Sequence, residues 1–208
     1  ILSENIIIRR TGFTNELGWE IYFRPENNAE KIGDLILSEG KKMGMILTAT
    51  PSFRGRRIEA GLLSAGQDFD KKTNPFSVGL GKFVELDKKD FIGKKALSNV
   101  EKKCKTWGLR VTENVALKGE NIFSNNKVIG RVTSSTWSPF QVCGVAIIHL
   151  NNDQFGPSSV IDVKCSDGKI YKGEICSLPM YDKKNEIVRG LVENIPTKPE
   201  PWPGIQTK

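Results

Sequence analysis

Histidine is almost missing from this chain: its 208 residues contain one, His149. A Ser-His-Asp or Cys-His arrangement would have to use it, and it stands in an apolar, strand-like run where a satisfied or surface imidazole is the ordinary outcome. The four cysteines, Cys104, Cys143, Cys165 and Cys176, contain no C-x-x-C pair. With one imidazole and no close thiol pair, no metal site is expected. Cys165 and Cys176 stand where a hairpin could bring them together, but no basic and apolar leader is visible, so reduced thiols and a cytoplasmic location are expected. The longest apolar run, 142–150, is broken by His149 and is far too short to cross a bilayer, so no membrane partner is expected. G-x-S-x-G, a dinucleotide fingerprint and a Walker loop are all missing. The chain also lacks an initiator Met and enters a strand-like run at once, so it is expected to be the latter part of a longer polypeptide.

Apolar residues make up 38% and charged residues 26%, enough to bury a core and too apolar for disorder throughout. Lys and Arg total 31 against 24 Asp and Glu, a formal charge of +7 that favours anionic partners. The basic residues are dispersed as pairs (Lys41-Lys42, Lys71-Lys72, Lys88-Lys89, Lys94-Lys95, Lys102-Lys103), without the aromatic-basic alternation of a stacking platform. Nucleic acid is therefore not expected as a partner.

Along the chain, 6–10 and 19–23 read as strands flanking a turn-rich segment. Asn27 or Asn28 caps a helix with Ile32, Leu35, Ile36 and Met43 near one face, stopped by Gly44. A shorter helix starts at Thr50-Pro51-Ser52 and stops at Gly61, and a third is expected to start at Asp90. After about residue 104 the pattern changes to short strands at 106–111, 127–134, 142–150, 160–165 and 169–176, with hairpin signals at Asn125-Asn126 and Asp167-Gly168. Such spacing predicts a small antiparallel barrel, and hence an α+β chain. A proline-rich segment, 196–203, follows.

If 19–23 is a strand, Glu20 and Tyr22 share one face, with Trp19, Ile21 and Phe23 on the other. From spacing alone this pair is either a solvated polar face or a binding face. The surrounding residues decide between them. Arg10-Thr11-Gly12-Phe13-Thr14-Asn15-Glu16-Leu17-Gly18-Trp19-Glu20-Ile21-Tyr22 resembles the R-T-G-Y-T-G-E-x-G-[FW]-E-I segment of the glycine cleavage T-protein (aminomethyltransferase) family, which includes dimethylsulfoniopropionate and other tetrahydrofolate-dependent demethylases. Further blocks agree in order: Arg57-Ile58-Glu59-Ala60-Gly61 with R-L-E-A-G; 68–75 and Gly79-Leu80-Gly81 with D-I-D-x-x-x-x-P…G-L-x-W; 89–97 with K-x-D-F-I-G-[RK]-x-A-L. At the far end, 130–139 is similar to G-x-V-T-S-G-x-[YW]-S-P, and Leu178-Pro179-Met180-Tyr181 to L-P-F-Y.

The resemblance implies an organisation: 1–100 as the C-terminal part of the folate-binding domain, 101–182 as the C-terminal barrel and 183–208 as a tail. It implies a tetrahydrofolate cofactor, with a one-carbon unit delivered to N5 from an aminomethyl-lipoyl carrier protein or a small-molecule methyl donor. Glu20 matches the carboxylate that holds the pterin, which presents a ring N–H beside an exocyclic amine. Tyr22 is placed to add a hydrogen bond or ring contact. Arg57 belongs either to the cofactor or to an ion pair, with Glu59 or a carboxylate elsewhere. Trp137 is a candidate lining of the central opening, or turn packing. Phe53 stands where the T-protein pattern has an Arg for the folate tail, with Arg54 and Arg56 beside it. That departure and Tyr22 lean toward the demethylase branch. The basic rim would suit the polyglutamate tail of cellular folates. The family's catalytic Asp lies outside these residues, so no catalytic residue is expected here and the chain alone is expected to be inactive. Three alternatives stay open to the sequence. One is a non-catalytic folate-binding relative, though nothing in 62–81 resembles its K-G-C-Y-x-G-Q-E motif. The others are the end of a sarcosine or dimethylglycine dehydrogenase and a basic nucleic-acid-binding protein.

Overall fold

The computed structural model describes residues 3–193; the proline-rich segment from Pro196 lies outside the described residues. The first half opens with a two-stranded antiparallel ribbon, β1 (Ile7–Arg9) and β2 (Glu20–Tyr22). Helix α1 (Ala29–Lys42) follows; the Asn28 side chain accepts from the Lys31 N–H at 3.0 Å, and Lys41 and Lys42 lie at the negative end of the helix dipole. Gly44, with φ +82°, turns the chain out of the helix. Ile32 is buried, but Met43 is not: the helix ends one residue before it, so Met43 is 88% exposed rather than on the buried face. Helix α2 (Thr50–Glu59) has Pro51 in its first turn, where a missing N–H costs nothing, and Gly61 past its end at φ +69°. The third helix, α3 (Lys94–Ser98), begins four residues later than Asp90, because left-handed Gly93 interrupts the run just before it.

Six strands then close a barrel in the order β3-β6-β5-β4-β7-β8, every pair antiparallel. They are β3 (Thr106–Val111), β4 (Asn121–Ser124), β5 (Lys127–Ser138), β6 (Cys143–Leu150), β7 (Val160–Lys164) and β8 (Ile170–Cys176). Closure leaves the barrel without an unpaired edge. The β4–β5 turn places both Asn125 and Asn126 at positive φ, the conformation that matches strand twist in a two-residue hairpin. Two strands differ from the sequence reading. β4, only four residues long, has no alternation long enough to predict it, and β5 runs on to Ser138 instead of ending at 134.

Two apolar clusters sit on opposite sides of the barrel wall. Leu109, Ile122, Val132, Ile148, Leu150, Ile161 and Ile175 fill its interior. Cys143, Val145, Ile147, Cys176 and Met180 lie outside, where Ile58 of α2 docks on them. Cys165 belongs to the inner cluster and Cys176 to the outer one, so the hairpin does not bring these two thiols face to face. All four cysteines are free thiols. At Gly144 a Cβ would collide with the Asn114 carbonyl oxygen, so only hydrogen fits there. Ile148 is fully buried in the barrel interior. Ile148→Ala is expected to lower stability by roughly 2–5 kcal/mol in urea denaturation; a loss near zero would show that the interior is not close-packed.

Candidate functional site

The site is built on neighbouring arginines in the last turn of α2. About 100° apart around the helix, they serve different elements. Arg57 turns to the barrel, donating from Nη1 to Asp68 Oδ2 at 2.8 Å and to the Leu62 carbonyl at 2.9 Å, and from Nη2 to Ser134 Oγ at 2.7 Å. Asp68 Oδ1 accepts from Thr133 and Ser134, both at 2.6 Å, and its Oδ2 also accepts from the Ser64 N–H at 2.8 Å. The pair is almost completely buried, and its charges are compensated on every side. Arg57 therefore takes the ion-pair arrangement, with Asp68 as its partner and not Glu59.

Arg56 turns to the other side. It pairs with Glu59 at 2.6 Å and with Glu16, donates to Tyr181 Oη at 2.9 Å, and stacks on Phe140 with its Cζ 3.8 Å from the ring centroid. Tyr181 also donates to Glu16, and the Ser138 hydroxyl to Glu59. Burial pushes the Glu59 carboxyl above its ordinary value, against the opposing pull of Ser138 and Arg56, and pushes the Tyr181 phenol up to about 12. This cluster ties the 11–18 loop, α2, the barrel and the 178–187 segment together. Asn15, at φ +57°, stands where the T-G-E motif has its Gly; Asn tolerates that region, and its amide donates to Asn185 at 3.0 Å.

The loop so anchored connects to Glu20. In the ribbon Arg9 opposes Glu20 and Ile7 opposes Tyr22, so Ile7, Arg9, Glu20 and Tyr22 share a face. Glu20 Oε2 accepts from the Thr11 hydroxyl and from Tyr22 Oη, the latter at 2.8 Å. These two bonds, and then the Arg9 charge, hold the Glu20 carboxyl below the ordinary value. Arg9 lies over the Tyr22 ring, 5.5 Å from its centroid. Thr11, Glu16, Asp68 and Tyr181 stand in the sequence only as parts of motifs; their partners lie elsewhere in the fold, and no local spacing announces them.

Trp137 lies elsewhere. The β5–β6 register shifts between Val132 and Ser134, so Ser134, Thr136 and Ser138 face α2 while Trp137, opposite Gly144, lies on the other side of the strand, 42% exposed. The structure thus joins Glu20 to Tyr22 and ties Arg57 to the barrel, and it leaves Trp137 on the far face of β5. A cavity of about 490 Å³ opens between the end of α2 and the barrel, lined by Leu62, Leu80, Phe83, Cys104 and Leu178 among others. None of the four expected site residues is among its lining. His149 Nδ1 meets Thr106 Oγ1 at 2.9 Å, a satisfied imidazole whose pKa burial lowers. Among the described residues no cluster of three or more His, Cys, Asp or Glu could hold a metal ion, and no helix is long and apolar enough to cross a membrane.

Arg57→Ala strands Asp68 as an uncompensated buried charge and is expected to cost about 3–5 kcal/mol of stability in chemical denaturation. A cost under 1 kcal/mol would show that the pair is not holding α2 to the barrel. For Glu59 the sign runs the other way from an ordinary carboxylate. Its folded pKa is raised, so the folded chain binds the proton more tightly. Its contribution is then present below the ordinary value of 4.5 and declines as pH climbs from there through the raised folded value. Glu59→Gln should flatten that decline in urea titrations across pH; an unchanged slope would assign it to another group.

Comparison with known proteins agrees with this architecture. Residues 1–88 match the family described as the GCVT N-terminal domain, and residues 105–182 match the glycine cleavage T-protein C-terminal barrel domain. The aminomethyltransferase of Halothermothrix orenii is 34% identical over 182 residues, covering 84% of this chain and 49% of the relative. That of Aquifex aeolicus is 32% identical, covering 85% and 48%. The crystal structure of glycine cleavage system aminomethyltransferase T from Bartonella henselae superposes with a TM-score of 0.74 at 26% identity, covering 85% of this chain and 50% of that one. The chain spans about half the length of the curated relatives it matches. With both domain families matched in order around one ion-paired helix, the chain belongs to the glycine cleavage T-protein family.

Proposed function

We propose that this chain is the latter part of a tetrahydrofolate-dependent one-carbon transferase, and that Glu20 holds the pterin. The observation that carries the reading is the setting of the Glu20 carboxylate: fixed by two hydroxyls on Oε2 that lower its pKa, and with Oε1 taking no hydrogen bond among the described residues. A heterocycle with adjacent N–H donors fits such an acceptor. Bound there, the folate supplies N5 as the nucleophile for the incoming carbon. The protein's part is positioning, and alignment of two reactants needs few catalytic side chains on this half.

Exposed apolar side chains in the first half support the same reading. Trp19 is 64% exposed, and Met43, Ile46 and Leu47 are 88%, 83% and 78% exposed. A contiguous sequence of large exposed apolar side chains marks a face that another layer covers. We assign that layer to the portion of the family domain present in the longer relatives, which would turn the open ribbon into the wall of a closed site. Trp137 and Arg57 then shape the assembly, Arg57 by fixing α2 and Trp137 from the far face of β5.

For the donor, the names of the relatives support the aminomethyl branch, in which the lipoyl arm of a carrier protein brings the carbon and ammonia leaves as methylenetetrahydrofolate forms. Phe53 in place of the pattern's Arg is the feature that favours a demethylase donor instead, and product analysis separates the two: methylene for the first, N5-methyl for the second. Four free thiols, of which burial raises Cys143 to about 12 and Cys165 and Cys176 to about 11, suit a reducing, cytoplasmic compartment.

Glu20→Gln in the full-length protein is expected to weaken tetrahydrofolate binding roughly tenfold or more by calorimetry, since it removes the charge from the acceptor. An unchanged dissociation constant would overturn the assignment. Residues 1–208 assayed alone are expected to give no turnover, and measurable product would show that the reacting groups lie within them.

A further inference from the structure

We propose that Thr11 is a positioning residue for Glu20: with the Tyr22 hydroxyl it reserves Oε2, so that the ligand's donors converge on Oε1 alone. The inference rests on the folate reading above and deepens it. Thr11 lies two residues beyond Arg9, which opposes Glu20 across the ribbon, so the loop leaves β1 with the Thr11 side chain on the Glu20 side. Tyr22 reaches the same oxygen from the next same-face position of β2. A carboxylate oxygen offers about two lone-pair sites, and two hydroxyl donors fill them.

Two consequences follow. The first is geometric. A free glutamate on a strand samples many rotamers, whereas one tied through Oε2 from both flanks presents a single oxygen outward. The two adjacent N–H groups of a pterin then share Oε1 as a fork on one atom, not as parallel bonds across both oxygens. The Tyr22 hydroxyl serves Glu20 and is not the ligand's own contact. The second is electrostatic. Hydroxyl donors favour the carboxylate over the acid, so they extend the pH range over which the acceptor is charged. The charged and titratable groups facing Glu20 are few: Arg9 from β1 and Tyr22 from β2, with Thr11 as a neutral donor from the loop. Thr11 is itself held at a distance by the Glu16–Arg56 pair five residues on, which pins the loop to α2.

The test uses the full chain with 13C-carboxyl-labelled glutamate, the Glu20 signal being identified by its loss in Glu20→Gln. Thr11→Val should raise the Glu20 titration midpoint, Thr11→Val with Tyr22→Phe should raise it further, and Thr11→Ser should restore it. This readout needs no ligand. Tetrahydrofolate titrations of the full-length protein should then show Thr11→Val weakened roughly tenfold, with affinity lost at a higher pH on acidification, and Thr11→Ser close to the parent. An unmoved Glu20 midpoint in both the single and the double variant would overturn the clamp. A moved midpoint in a protein that takes up no tetrahydrofolate would uphold the clamp and overturn the folate reading.

Discussion

Everything in this molecule is hung from one pair of neighbouring guanidinium groups. Arg57 reaches Asp68 and, on the outer wall of the barrel, Ser134, while Thr133 donates to the same Asp68; Arg56 reaches back across α2 to Glu16, Glu59 and Tyr181. Burying these charges is unfavourable unless every one of them is met, and here the donors and acceptors are matched nearly one for one. The reward is definition more than energy. A greasy contact between α2 and the barrel, Ile58 on Val145 and Ile147, would tolerate sliding, but an ion pair bracketed by hydroxyls does not. The ribbon that carries Glu20 has its loop fastened to the same helix, so the barrel, α2 and the candidate site share one frame.

The sequence displayed much of this and hid the rest for identifiable reasons. Period-two alternation placed Glu20 and Tyr22 together correctly, because it is a property of the backbone. The turn at Asn125-Asn126 and the glycines after α1 and α2 were legible because left-handed φ leaves few residues to choose from. Trp137 lies beyond the 127–134 strand that the pattern predicts, so alternation gave it no face, whereas β5 runs on through it to Ser138. An extra residue at Thr133 shifts the register, so the side chains beyond it exchange faces. The same bulge turns two consecutive hydroxyls, Thr133 and Ser134, toward Asp68. Which arginine takes Glu59 was equally hidden, since helical spacing allows i to i+3 for Arg56 and the choice is made by where the barrel lies. Partners 77 to 165 residues apart, such as Arg57 with Ser134 or Glu16 with Tyr181, have no local signature at all.

The motif blocks acquire physical content in the same way. Glu16 of the T-N-E segment is an anchor for Arg56, Asp68 a counter-charge for Arg57, and Tyr181 of the closing L-P-M-Y a bridge between Glu16 and Arg56. Together these residues hold the loop after β1, α2 and the barrel to one another. The chain carries Phe53 where the pattern has a charged side chain. The change lies at the middle of α2, away from the ion-paired last turn, so it alters what the helix presents and not how it is held.

The ribbon of β1 and β2 has a property distinct from its side chains. It is two strands of three residues, with no third strand on either flank among the described residues. Its outward amides and carbonyls are free to continue the sheet, and strand addition is blind to sequence. Alanine scanning of such a seam would find little, because truncating a side chain removes none of the groups that do the joining. Only a change that deletes a main-chain N–H, such as proline at the outward-facing position, would unfasten it.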